Sequence, residues 1–398
     1  MITAEITKDV FYVGTNDRTT TRFEGIWPLP YGVSYNSYVV KGESKTAIID
    51  GVELSHAFEQ IAKIKHIDDA MKVDYLVINH MEPDHTGGIV ALLHAFPNLK
   101  IVGNAKTADM LKGYYGIDKE DIITIADGDT IDLGGMTLKF FLTPMLHWPE
   151  TMMTYVEEKK VLFSGDAFGC FGALNGGVVD NEFDVSYHFP EMTRYYSNIV
   201  GKYGAPVQKA LSRLGSLPIE YICSTHGPVW HEKVAEVISI YDRLSREECE
   251  NGVVIVYGSM YGNTAQMVET LARQLTLEGV RKICIHDVSY SDESYILRDI
   301  YTYKGLIVAS PTYNGNLFPK IDSFLKSLVL RGVSKKVFAR LGSYTWAGVS
   351  SKTIDTMVEK LKFETIGQQI EMKQGISSCT IEQCRNLAKE FAEALNRE

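Results

Sequence analysis

Two α/β domains in tandem are predicted: a layered strand-and-helix domain over 1–250, then a doubly wound, five-stranded parallel sheet over 251–398. Three observations predict them. At 398 residues the chain is long enough for two hydrophobic cores. Its apolar patterning changes rhythm at the polar stretch 245–252, which ends in Gly252. The residues able to carry chemistry fall just after apolar strand runs, where layered α/β folds place their sites.

In the first half, apolar runs predict strands at 37–40, 46–49, 75–79, 100–102, 137–142, 152–156, 160–164 and 221–224. A helical apolar period predicts helices at 56–67, 88–96 and 194–214. A last helix at 234–248 sets Val234, Val237, Ile238 and Tyr241 on one face. Beyond residue 252 the alternation is strict. Strands are predicted at 253–257, 283–286, 306–309, 337–341 and 369–372, and helices at 265–277, 293–303, 321–328, 352–361 and 381–395. Five short buried strands separated by helices specify a parallel, doubly wound sheet.

Composition narrows the function. Hydrophobic residues at 45% and charged residues at 23% are ordinary for soluble globular protein. A net charge of −10 argues against nucleic acid or an anionic membrane as partner. No apolar run approaches a membrane span, and residues 1–13 lack a signal peptide's shape. The six cysteines (Cys170, Cys223, Cys249, Cys284, Cys379, Cys384) are scattered. None forms C-x-x-C, so neither a zinc ribbon nor a rubredoxin-type iron site is expected. Free thiols fit a reducing cytoplasm.

The densest chemistry lies in the run His80-Met81-Glu82-Pro83-Asp84-His85, just after an apolar strand. Pro83 keeps Glu82 out of the helical region. In an extended segment alternate side chains share a side, so His80 and Glu82 can converge on one ion. Asp84 and His85 can turn towards a second. Further ligand types follow later strands: His147, Asp166 in Ser164-Gly165-Asp166-Ala167-Phe168, and His226 in Ser224-Thr225-His226-Gly227-Pro228. Oxygen and imidazole ligands suit iron cycling between ferrous and ferric, although intrinsic affinity alone would favour zinc.

The order H-x-E-x-D-H, followed by H, D and H at strand ends, resembles the metallo-β-lactamase-like αββα fold. Hydrolases of that fold usually carry H-x-H-x-D-H. The glutamate, together with Leu146-His147-Trp148-Pro149-Glu150, resembles the flavodiiron proteins, which reduce dioxygen or nitric oxide. That resemblance implies two non-haem iron ions, oxo- or hydroxo-bridged. It gives His80, Glu82 and His147 to one ion, Asp84, His85 and His226 to the other, and Asp166 to both. His85 is a ligand in only some members. Phe168, Phe171, Trp148 and Tyr195 or Tyr196 are candidates for a gas-pocket wall or for proton donation, with Tyr195 and Tyr196 as the catalytic candidates.

In the second half the first strand ends in Ser259-Met260-Tyr261-Gly262-Asn263-Thr264 and runs directly into a helix. Hydroxyls and backbone N–H groups at a helix start make a phosphate nest. There is neither a Walker lysine nor G-x-G-x-x-G, which leaves a monophosphate. The segment resembles the FMN loop of flavodoxins. Pro311-Thr312-Tyr313-Asn314-Gly315-Asn316 and Ser343-Tyr344-Thr345-Trp346-Ala347-Gly348, after the third and fourth strands, resemble the two loops that grip the isoalloxazine ring.

The resemblance spans nearly the whole chain and implies FMN feeding electrons to the metal pair. It also implies a head-to-tail homodimer, or a dimer of dimers, in which each FMN faces the other subunit's irons. With no cysteine-paired iron domain within the sequence, the electron donor is expected to be a separate protein such as rubredoxin. One departure stands out: where many members carry a histidine, this chain has Glu24. The competing readings are a zinc hydrolase with a flavodoxin-like sensor domain, and a flavin module whose metal site is dead. Glu82 opposes the first, since a carboxylate in place of an imidazole lowers the Lewis acidity available to activate water. The complete ligand set opposes the second.

Overall fold

A computed structural model describes residues 3–397; Met1, Ile2 and Glu398, at the outer ends of the two expected domains, lie outside it. The chain divides into two compact units between Ser245 and Arg246.

The first unit is two sheets between helices. One sheet has strands β1 (Ala4–Thr7), β2 (Val10–Tyr12), β3 (Tyr38–Lys41), β4 (Thr46–Ile49), β5 (Tyr75–Val77), β6 (Lys100–Gly103) and β7 (Ile122–Thr124), in spatial order of sequence. Pairing is antiparallel up to β4 and parallel from there. The other has β8 (Thr130–Asp132), β9 (Thr137–Leu142), β10 (Met152–Val156), β11 (Val161–Gly165) and β12 (Tyr221–Ser224). Strand alternation sorts the side chains. Tyr38, Val40, Ala47 and Ile49 meet Phe140, Met152, Val161 and Phe163 in a core between the sheets. Val39, Ile48, Leu76 and Ile101 point the other way. They pack on α1 (Ala57–Ile67), α3 (Ile89–Ala95) and α4 (Ala105–Tyr115) through Ile64, Leu92 and Leu111. The loops that follow these strands carry the candidate ligands.

The helix predicted over 194–214 is instead broken. An α-helix at His188–Tyr195 runs into a π-turn at Tyr196–Val200, a 3-10 turn at Gly201–Tyr203 and a new helix at Gly204–Leu214. Gly201 and Gly204 weaken the middle, and Pro206, lacking an N–H, is tolerated only in a first turn.

The second unit is the doubly wound sheet. Its main strands are β13 (Glu250–Tyr257), β14 (Ile283–Asp287), β15 (Tyr303–Tyr313), β16 (Val337–Tyr344) and β17 (Ile370–Lys373), paired in parallel in the order β14-β13-β15-β16-β17; the two-residue strand Glu364–Thr365 also pairs in parallel with β16, and Asn316–Leu317 pairs antiparallel with β15. Val253, Ile255, Ile307 and Leu341 pack on α5 (Asn263–Leu277) and α6 (Ser378–Leu395) through Met267, Leu271, Leu387 and Phe391. The order reverses between β13 and β15, which opens a ligand crevice at their carboxyl ends.

Candidate metal centre and flavin site

The seven candidate metal ligands come together on the rim of the first unit. Glu82 is extended (φ −59°, ψ 140°) because Pro83 follows it, and α2 (Pro83–Thr86) then turns Asp84 and His85 inward. Two groups result: His80, Glu82, His147 and Asp166, and beside them Asp84, His85 and His226. Asp166 faces both. Its Oδ2 lies 2.9 Å from His147 Nε2 and 3.6 Å from His80 Nε2. Its Oδ1 lies 2.9 Å from His85 Nε2 and 3.7 Å from His226 Nε2. Glu82 Oε2 is 3.2 Å from both His80 and His147 Nε2, and Asp84 is 3.3 Å from both His85 and His226 Nε2.

The outward nitrogens of His80 and His226 are anchored. His80 Nδ1 pairs with Glu150 Oε1 at 2.8 Å, and the Met81 N–H donates to the same oxygen. His226 Nδ1 pairs with the Ser34 carbonyl at 2.8 Å. These partners fix ring orientation and leave each Nε2 aimed inward. Aromatic rings wall the His226 side: Phe23, Tyr35 and Tyr195 lie with centroids 5.2, 5.9 and 5.6 Å from it. Phe171 backs Tyr195 at 5.1 Å, and Trp148 stands edge-on to His80 at 5.2 Å. Tyr196 packs on Tyr241, and Phe168 packs there too.

Charge here is concentrated and dry. Burial opposes the charge on Asp166, but His85, His80 and the hydrogen bond from His147 outweigh it and hold the carboxyl well below its usual range. Burial likewise opposes protonation of His147 and His85, yet Asp166 with Glu82, and Asp84 with Asp166, raise them to about 9. Glu24 sits in an exposed turn; partial desolvation of its carboxyl, then the charge of Glu82, lifts it to about 7. The Trp27 indole donates to it at 3.0 Å.

The donor set fits two cations. Both Asp84 oxygens, both His85 nitrogens and His226 Nε2 are buried without a hydrogen-bond partner. Unsatisfied buried polar atoms are costly, and a metal ion between them would supply what Asp84, His226 Nε2 and one His85 nitrogen lack. Sequence reasoning missed Glu150 as the anchor of His80 and missed Phe23 and Tyr35 altogether. Glu150 had a signal, three residues beyond His147 in a strand-end loop; the two aromatics had none.

In the second unit a cavity of ≈ 220 Å³ opens at the carboxyl ends of β13, β15 and β16. Ser259, Met260, Tyr261, Asn263, Thr264, Pro311, Thr312, Ser343, Tyr344 and Thr345 line it. Gln374 and Gly375 line it too; they follow β17 on the same edge, where the strand-end rule would have found them. Gly262 caps α5 at φ +89°, with its N–H on Ser259 Oγ, and Thr264 Oγ1 meets Ser343 Oγ at 2.8 Å. The segment 311–316 is not a plain loop: β15 runs on to Tyr313 and hairpins through Asn314-Gly315, both at positive φ, onto Asn316. Gly262, Tyr313, Asn314, Gly315, Asn316, Trp346, Ala347 and Gly348 fall outside the lining, and Trp346 is 89% exposed. A polar nest at a helix start beside exposed aromatics fits a flavin monophosphate.

Fold and site define a flavin- and metal-dependent oxidoreductase. A family model described as ODP family beta lactamase matches residues 33–227, and the flavodoxin model matches 255–393. The anaerobic nitric oxide reductase flavorubredoxin of Vibrio vulnificus is 32% identical over 98% of this chain and 80% of its own. The rubredoxin oxygen:oxidoreductase of Desulfovibrio gigas superposes with a TM-score of 0.94 at 29% identity, covering 99% of this chain and 98% of that one. The flavodiiron protein of Giardia intestinalis does so equally, covering 99% and 97%. The chain belongs to the flavodiiron protein family, whose cofactors are FMN and two iron ions. The zinc-hydrolase reading finds no support in these relatives.

Proposed function

We propose that this chain reduces dioxygen to water, nitric oxide to nitrous oxide, or both, at an iron pair held by His80, Glu82, His147, Asp84, His85 and His226 and bridged by Asp166. The two Asp166 oxygens, each facing one ligand group, carry this reading. Two ferrous ions and a fully reduced FMN together hold the four electrons that dioxygen needs; coupling two nitric oxide molecules takes two.

The chain's own side chains do the rest. Glu150 and the Ser34 carbonyl hold the His80 and His226 rings, so the site is preorganised for cations. Phe23, Tyr35, Phe171 and Tyr195 exclude bulk water from the side where a small gas binds. The Tyr195 hydroxyl, which is buried and without a hydrogen-bond partner, donates one to bound substrate in this reading. In the second unit the Ser259–Thr264 nest takes the FMN phosphate, and Tyr313 and Trp346 flank the ring. Electrons come from an external protein donor such as rubredoxin. The working form is a cytoplasmic head-to-tail homodimer or dimer of dimers.

Asp166→Asn tests the bridge. The account expects FMN retained, iron falling from two per chain to one or none, and gas reduction lost by at least roughly 100-fold. Two firmly held irons in the variant would refute the bridging role.

A further inference from the structure

Outside both sites, one nucleophilic pair is set unusually close. The first residues of the second unit, 246–249, are clasped by residues 334–336 of the same unit. Ser334 donates its N–H and Oγ–H to the Glu247 carboxylate at 2.8 and 2.9 Å, and Lys335 Nζ donates to the Arg246 carbonyl at 2.8 Å. At the centre of the clasp Lys336, only 2% exposed, places Nζ 3.0 Å from Cys249 Sγ. The same nitrogen donates to the carbonyls of Tyr303, at 2.9 Å, and of Ile300.

That arrangement has a directional consequence. An ammonium has three hydrogens in tetrahedral array. Two are committed to carbonyls, so the third position points at sulfur. Once that proton leaves, the amine lone pair faces Sγ at near-attack distance. Cys249 is only partly buried, so a small oxidant reaches it, whereas Cys170, Cys223 and Cys384 are buried. Among the described residues, Cys249 is the cysteine that a lysine nitrogen contacts.

We propose that Cys249 and Lys336 form a covalent sulfur–oxygen–nitrogen bridge on exposure to dioxygen. One thiol, one amine and one O2 give S–O–NH and one water. The S–H bond and one N–H bond break; S–O and O–N bonds form. Sulfur and nitrogen each give up two electrons, and the four reduce both oxygen atoms. Four electrons from a dithiol reductant return thiol, amine and water. The bridge ties residues 87 apart in sequence and pins the leading segment of the second unit within that unit. It stands independently of turnover at the metal centre.

The test is made on the full chain loaded with iron and FMN. Protein prepared without oxygen is divided, and one half is held in air-saturated buffer. Both halves are denatured in acid, alkylated and digested for mass spectrometry. The expected result in the aerated half is loss of alkylatable Cys249. Its peptide should be joined to the Lys336 peptide, heavier than the free pair by one oxygen less two hydrogens. Dithiothreitol should reverse the link, and Cys249→Ser should abolish it. A Cys249 that stays alkylatable overturns the proposal, as does one oxidised to sulfinic acid or a disulfide with no link to Lys336. Because the measurement reads the unmodified chain, it does not depend on whether Lys336→Met folds.

Discussion

Asp84, His85 and His226 leave five buried polar atoms without hydrogen bonds, and the surrounding histidines hold protons that iron must displace. A pH dependence follows with a definite sign. His85 and His147 ordinarily titrate near 6.5 and are raised to about 9 in the folded, metal-free chain. Their contribution to stability is complete below about pH 6.5 and is lost as pH rises through about 9, at up to about 1.4 kcal/mol per pH unit for each group. The melting temperature of metal-free protein should therefore fall over that window. Iron takes neutral imidazole, so its binding releases protons and tightens as pH rises, and loaded protein should not show the fall. A flat or rising melting temperature in the metal-free protein would contradict the charge assignment. At this scale much was legible in the sequence. Histidines and carboxylates after strands announce themselves by type and spacing. Phe23 and Tyr35 do not, because an aromatic facing a site and one facing a core look alike in a string.

Strands were the most legible elements, since burial on both faces writes continuous apolar runs such as Val253–Val256. Edge strands were missed: Thr130–Asp132 is short and half polar, and only its pairing with Leu138 and its neighbours makes it a strand. The helix predicted over 194–214 failed where Gly201, Gly204 and Pro206 interrupt an unbroken apolar period. The nest at the start of α5 gives a prediction of its own. Gly262 sits at φ +89°, which costs an L-residue roughly 1–2 kcal/mol. No heavy atom lies within 4 Å of an added Cβ, so strain and not collision decides. Gly262→Ala should weaken FMN binding about 5- to 30-fold, read by fluorescence titration of the apoprotein, with iron content unchanged. Unaltered affinity would place the phosphate elsewhere.

For the molecule as a whole, the change of rhythm near residue 250 made two units legible, and each unit's site was legible from its own strand ends. Assembly was not: the sequence carries each unit's fold, but the proposed pairing of one subunit's FMN with another's irons belongs to a surface with no local signature. Dilution reads it. Reoxidation of reduced flavin should slow as dimers dissociate; a rate per chain that does not change while the dimer comes apart would count against exchange between subunits. The most direct measurement remains gas consumption. In one preparation loaded with iron and FMN and supplied with excess reductant, dioxygen and nitric oxide are followed separately by electrode. The account predicts that at least one is consumed faster than free FMN consumes it, and that Asp166→Asn loses the difference. Consumption of neither gas by chains holding two irons and one flavin would contradict it.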